Sequence, residues 1–261
     1  VRSPLLERLI DYAGMFPPAS LSLADARAEY EATTASEHGW VVGPMLVLAS
    51  TLDDPALHGM DPDRLGAIAD AVPGRRVVQV EQRVDASTAA ATVARLRDVA
   101  PVIYLESTDP AELSFLEPIA TARAVGVDVR AKLRTGGATA TAFPTPAEVA
   151  AFIAGCVTRG LPFKATAGLH HPIRTTSHVP GATEHGFLNV LAAVRCALDG
   201  DVEATLAALA TTDPSDIDPA SATYRGVGAN LDPAEVRATF RSIGSCSVDE
   251  PTGYLVDLGI L

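Results

Sequence analysis

The stretch that decides the fold class is Val127-Asp128-Val129-Arg130-Ala131-Lys132-Leu133-Arg134, then a capped segment from Thr145-Pro146-Ala147-Glu148 to Gly160, then Leu161-Pro162-Phe163-Lys164-Ala165-Thr166-Ala167-Gly168. The first segment alternates apolar and basic residues, the period of a strand with one buried face. The second opens with a Thr cap, Pro at the first helical position and Glu at the third. Its Val149, Phe152, Ile153, Cys156 and Val157 recur at helical spacing, and Gly160 supplies the stop. The third is extended again. Strand, helix and strand in this order belong to a parallel sheet covered by helices.

The same alternation continues outward in both directions. Strands are expected at Met45–Ser50, Arg76–Gln82, Val102–Glu106, Val127–Arg134, Pro162–Ala167 and Phe240–Gly244, with weaker ones at Leu9–Met15 and near Thr223–Val227. Helices are expected over 22–36, 61–72, 86–99, 111–124, 146–159, 185–198, 202–210 and 233–239. The helix-start signature recurs at Asp109-Pro110-Ala111-Glu112 and Asp232-Pro233-Ala234-Glu235, and in part at Asp61-Pro62. Roughly eight such units in 261 residues predict an α/β fold of the (β/α)8 TIM-barrel type, a single domain over 1–261. An open doubly wound sheet is the alternative. No Pro/Gly/Ser-rich linker or low-complexity run divides the chain.

The totals restrict the partners. A formal net charge of -12 disfavours a nucleic-acid phosphate surface and an anionic membrane surface, and leaves room for a local basic pocket that takes a small anionic metabolite. The longest apolar stretches are broken before the roughly 20 residues of a membrane span, and the N-terminal residues lack the pattern of a signal peptide. Cys156, Cys196 and Cys246 are an odd number without metal spacing, which predicts a reducing, cytoplasmic setting. A homo-oligomer is left open.

The most informative total is hidden in the sum of basic residues. Of the 20, only Lys132 and Lys164 are lysines and the other 18 are arginines. Lysine can form an imine or give up its proton, and arginine can do neither. Period two turns Val129, Ala131 and Leu133 toward the helices and Arg130, Lys132 and Arg134 inward, and it places Lys164, Thr166 and Gly168 inward on the later strand. Gln79 and Glu81 share a face, as do Val102, Tyr104 and Glu106. Cations and carboxylates are thus expected to converge at the C-terminal strand ends, where barrel enzymes keep their sites. A structural salt-bridge cluster is the competing explanation.

The loops add candidates. Gly136-Gly137 after Arg134 allows backbone N–H groups to approach an anion, or forms a plain turn. Residues 168–186 carry His170, His171, His178 and His185, four of the six histidines, together with Arg174 as a clamp for a carboxylate or phosphate. A long polar loop at that end suits an active-site lid. Ser245, beside Cys246 and Ser247, follows the last strand, where barrels often bind phosphate. Asp11-Tyr12-Ala13-Gly14 adds an acid and a tyrosine to the mouth or makes a rigid turn.

Phe163-Lys164-Ala165-Thr166-Ala167-Gly168 resembles the Schiff-base strand of deoxyribose-phosphate aldolase-like class I aldolases, in which Lys-x-Ser/Thr-x-Gly ends the sixth barrel strand. Lys164 also falls on the sixth expected strand. The resemblance covers about six residues and implies a nucleophilic Lys164 without a cofactor. The family's second lysine lies on strand seven, whereas Lys132 lies on strand five. The blocks DYAGMFPPA, KLRTGG, FKATAGLHHP and GSCSVDEP together resemble a set found in an uncharacterised bacterial family, which implies no activity.

The chemistry expected from these residues is a Schiff-base carbon–carbon lyase acting on a small anionic carbonyl metabolite. Lys132, Arg130 and Arg134 would lower the amine pKa of Lys164, Glu81 or Glu106 would move protons, and Arg134 or Arg174 would bind the anion. The first alternative is a divalent-metal isomerase or lyase using Glu81, Glu106 and His170 or His171. The second is a barrel that binds a small anion without turnover.

Overall fold

The computed structural model describes residues 2–52, 65–69, 77–109 and 111–261. Alternation of buried and half-buried positions runs through Val129–Arg134 as the sequence predicts, with Val129, Ala131 and Leu133 in the core. Such strands assemble edge to edge because each exposed edge is a row of unpaired N–H and C=O groups. The result is an α/β fold in which seven strands run parallel in one curled, barrel-like sheet: β1 (Ile10–Tyr12), β2 (Val42–Leu48), β4 (Val77–Val84), β5 (Val102–Ser107), β6 (Val129–Arg134), β7 (Phe163–Thr166) and β8 (Phe240–Ser245). Between β2 and β4 lies β3 (Leu65–Ala69), antiparallel to both. The hydrogen-bonded order is β1-β8-β7-β6-β5-β4-β3-β2, and β2 pairs with β1.

Eight α-helices accompany the sheet among the described residues: α1 (Leu23–Thr34), α2 (Ala89–Leu96), α3 (Leu116–Ala124), α4 (Pro146–Thr158), α5 (Phe187–Leu198), α6 (Val202–Ala210), α7 (Pro233–Thr239) and α8 (Asp249–Asp257). α4 starts as expected. Thr145 accepts from the Glu148 amide, while the Glu148 carboxylate accepts from the Thr145 amide. Its Val149, Phe152, Ile153 and Cys156 are buried. Phe152 meets Phe163 of β7 edge-on at 5.3 Å, and Phe163 lies 5.0 Å from Phe240 of β8. Helix and two strands are thereby locked through three rings, contacts worth about 1 kcal/mol each beyond their buried area. The stretch Ala140–Thr158, which includes α4, is the one described helical stretch apolar and long enough to cross a bilayer by length and composition.

Three expectations change. The predicted helix over 61–72 does not form where it is described, because residues 65–69 are β3. The rest of that range, with Asp61-Pro62, lies outside the described residues. Pairing with the facing edges of β2 and β4 overrides the helical spacing there. The candidate strand near Thr223–Val227 does not join the main sheet either. Thr223–Tyr224 pairs with Ile217–Asp218 and Ala229–Asn230 in a small antiparallel sheet. The regular eightfold parallel alternation of a (β/α)8 barrel is therefore replaced by seven parallel strands and one antiparallel insertion. Finally, the Asp109 signature caps a turn: its carboxylate accepts from the Ala111 amide, and α3 starts only at Leu116.

Candidate active site

Register places the charges. Glu106 on β5 stands opposite Lys132 on β6, and Lys132 stands opposite Lys164 on β7. From β4, Glu81 reaches both lysines: Oε2 lies 2.7 Å from Lys132 Nζ, and Oε1 accepts from Lys164 Nζ at 2.7 Å. Lys164 also donates to Asp11 of β1, which accepts from Ser242 Oγ at 2.9 Å. Glu106 lies 3.1 Å from Lys132 Nζ through Oε2 and accepts from Arg134 Nε at 2.8 Å through Oε1. Arg83 Nε stands 3.2 Å from the same oxygen.

The result is one alternating series: Arg134 and Arg83, Glu106, Lys132, Glu81, Lys164, Asp11. The exposure of its cations falls along it. The side chains of Arg83 and Arg134 are 39% and 32% exposed, that of Lys132 is 14% exposed, and that of Lys164 is fully buried. Five strands contribute, so the series spans the inside of the sheet from its C-terminal edge to Asp11. Gly43 on β2 makes room for that end, because a Cβ there would lie 2.5 Å from Asp11 Oδ1. Tyr104 supports Lys164 from one side, with Nζ 5.4 Å from its ring centroid, and its hydroxyl accepts from Arg130 Nη1 at 3.1 Å.

Burial and partners compete at each member. Burial disfavours the Lys164 ammonium, but Asp11 and Glu81 outweigh it and hold the amine above the usual lysine range. Lys132 is likewise raised, against burial, by Glu81 and Glu106. Burial would raise Glu81, yet the two ammonium groups bring it down to about 2. Glu106 is lowered by Lys132 and Arg134 in spite of its burial. Asp11 goes the other way, because burial pushes its carboxyl up more than Lys164 pulls it down. The expectation that neighbouring cations depress Lys164 is therefore overturned. Arg130 is spent on Asp128 and Tyr104, and Arg134 on Glu106, while two carboxylates face Lys164 directly.

Of the expected site residues, Lys164, Lys132, Glu81, Glu106 and Arg134 come together in this series. Thr166 stands opposite Arg134, and its carbonyl accepts from the Thr135 amide at 2.9 Å. Gly136 and Gly137 have a packing reason. A Cβ on Gly136 would lie 3.0 Å from Gly168 Cα, and one on Gly137 would lie 2.8 Å from Ala142 Cβ. The loops after β6 and β7 thus touch backbone to backbone, with Ala167 and Gly168 both at positive φ.

The histidines lie apart from the series. His170 Nδ1 is 3.0 Å from Glu250 on α8. His171 is 3.7 Å from Glu184 and lies against Tyr254, ring centroids 4.2 Å apart. His178, 89% exposed, is also 3.7 Å from Glu184. His185 is buried: Nε2 donates to the Pro144 carbonyl at 2.7 Å, so Nδ1 accepts from Arg174 Nη1 at 3.3 Å. Burial lowers its pKa and keeps it neutral. Ser245 Oγ donates to the Ser247 carbonyl at 2.5 Å in a turn. The metal set of Glu81, Glu106 and His170 or His171 is not brought together, because the glutamates hold lysines and the histidines hold other carboxylates. Among the described residues no three His, Cys, Asp or Glu side chains stand where they could share a metal ion.

Three partners sit where the sequence offered a partial signal or none. Arg83 continues the period of Gln79 and Glu81 by one step. Asp11 lies on a strand of three residues, too short for a periodicity to show. Ser242 has no signal of its own. No protein-family model matches this chain, nor does any curated protein or solved structure.

Proposed function

We propose that the curled sheet is a TIM-type barrel in a single domain and that it works as a lyase on a small anionic carbonyl compound, with Lys164 forming an imine to the substrate. The observation that carries this is the placement of the chain's only two lysines in register on adjacent strands, joined by Glu81 inside the sheet. The ammonium is the resting form of Lys164, and imine formation requires its proton to pass to a carboxylate in contact, a transfer that burial of both partners makes less costly than it would be in water. Asp11, whose carboxyl burial raises, is the acceptor in contact with Lys164. The neutral amine attacks the carbonyl carbon, and loss of water leaves an iminium. Cleavage of the adjacent carbon–carbon bond then sends its electron pair into that iminium and leaves an enamine; a proton added at the enamine carbon gives the product iminium, which water hydrolyses to regenerate the amine. Lys132 and Glu106 lie next along the series and are the groups suited to take the proton released at the leaving fragment. Arg134 and Arg83, the exposed end, meet the substrate's anionic group.

A second reading has its own support. Lys164 is fully buried and every charge in the series has an opposite partner. That arrangement also suits a barrel whose interior is an ion-paired scaffold and whose rim arginines bind an anion without turnover.

One experiment separates the two. Carbonyl compounds bearing a carboxylate or phosphate are incubated with the protein and sodium borohydride, and the peptides are then mapped by mass. The lyase predicts a reduced adduct on Lys164, lost in Lys164→Arg together with turnover. A panel that leaves Lys164 unmodified while the anions still bind supports the scaffold.

A further inference from the structure

At the opposite end, where the strands begin, a cleft of about 360 Å³ opens between Arg8, Arg130, Arg237 and Arg241, with Asp11 and Ser242 beneath. A neighbouring cleft of about 350 Å³ shares Arg130 and Arg241. Arg130 is compensated by Asp128. The others are not: among the described residues Arg8, Arg237 and Arg241 form no ion pair. Arg237 donates to the carbonyls of Leu5, Glu7, Phe240 and Arg241, which fixes its guanidinium, and the Glu7 and Asp11 carboxylates that also line the cleft offset part of its charge without an ion pair. Burial and Arg241 lower its pKa to about 10, so it stays cationic at neutral pH. Arg241 spends a single hydrogen bond, on the Arg237 carbonyl. Arg8 is held at a positive φ of 48° just before β1, its amide donating to the Trp40 carbonyl at 2.9 Å.

Three guanidiniums in one concavity, none of them ion-paired among the described residues and set against only the carboxylates of Glu7 and Asp11, stand out in a chain of net charge -12. Their mutual repulsion is relieved by an anion. Asp11 below supplies only part of that charge, because Lys164 and Ser242 already hold it, and Glu7 in the lining is in ion-pair contact with none of the three. We infer that this cleft is a second site, separate from the C-terminal end, and that it binds a small phosphoryl dianion. The arginines approach from the segment before β1, from α7 and from β8. Guanidiniums arriving from several sides, with Arg8 and Arg241 offering free N–H groups and Arg237 mainly its charge, match a tetrahedral oxyanion better than a planar carboxylate, which one fork satisfies. The site is independent of the imine chemistry.

The test is binding of inorganic phosphate, by calorimetry and by thermal shift, at an ionic strength held constant with sodium chloride. In the Arg134→Gln background, which removes the anion contact at the far end, the protein is still expected to bind phosphate and to melt higher as its concentration rises. The double variant Arg8→Gln/Arg241→Gln, changed at two exposed positions and checked for an unaltered circular-dichroism spectrum, is expected to bind at least tenfold more weakly. Three results would overturn the assignment: phosphate stabilising no more than chloride, the double variant binding as wild type does, or malonate matching phosphate on wild type.

Discussion

The charged interior of the sheet and the loop at 168–186 both gather ionisable residues, yet they are built differently. Inside, each member from Glu106 to Lys164 meets opposite charges on at least two other strands, and the series ends in full burial. In the loop, His170 meets Glu250, and His171 and His178 meet Glu184, at positions from partly to almost wholly exposed. The first arrangement is coupled: removing one charge strands its neighbours in a medium that cannot solvate them. The second is a set of looser contacts, two of them sharing Glu184, at histidines that water reaches. Rarity in the composition pointed to the coupled set, whereas local abundance of histidine pointed to the uncoupled one.

Breaking the interior gives the largest effect. Lys164→Met leaves Asp11 and Glu81 buried without their shared cation and is expected to destabilise the protein by about 3–5 kcal/mol in urea unfolding. Adding Asp11→Asn should recover part of that loss, because one stranded charge is gone; a strictly additive double variant would contradict the coupling. Acid tests the same set. Glu81 is held near 2 against an ordinary value of 4.5, so its contribution is complete above pH 4.5 and is lost as the pH falls toward 2. Roughly 3 kcal/mol of stability should disappear across that window, and Glu81→Gln should flatten the slope.

Effects in the loop are smaller and separable. His185→Ala orphans the buried Pro144 carbonyl and is expected to cost about 1–3 kcal/mol. His178→Ala, at an exposed side chain, should change stability by less than about 0.5 kcal/mol and add to any interior change. Coupling between His178 and Lys132 in a double-mutant cycle would erase the distinction between the two regions.

Much of this was legible in the sequence. The caps at Thr145 and Asp232 fixed α4 and α7, and period two turned Lys132, Arg134 and Lys164 to one side because the apolar residues between them needed the helices. What escaped notice is non-local. β3 is a strand because two neighbouring edges need a partner, and no pattern within 65–69 records that need. α8 starts after Val248, which provides no side-chain cap, so its capping signal is faint, yet it supplies Glu250 and Tyr254 to the histidines. The sign of the Lys164 shift depended on which charges lie nearest. Sequence spacing showed the arginines on its own face, but the carboxylates that win come from β1 and β4.

With two lysines in the chain, selective labelling with ¹⁵N at lysine Nζ yields one signal for each, assigned by Lys132→Arg. If Glu81 joins both as interior cations, the two signals should keep ammonium shifts, with slowed proton exchange, from neutral pH to beyond the usual lysine pKa of about 10.4. A signal from Lys164 that titrates to the neutral amine below pH 9 would contradict the account.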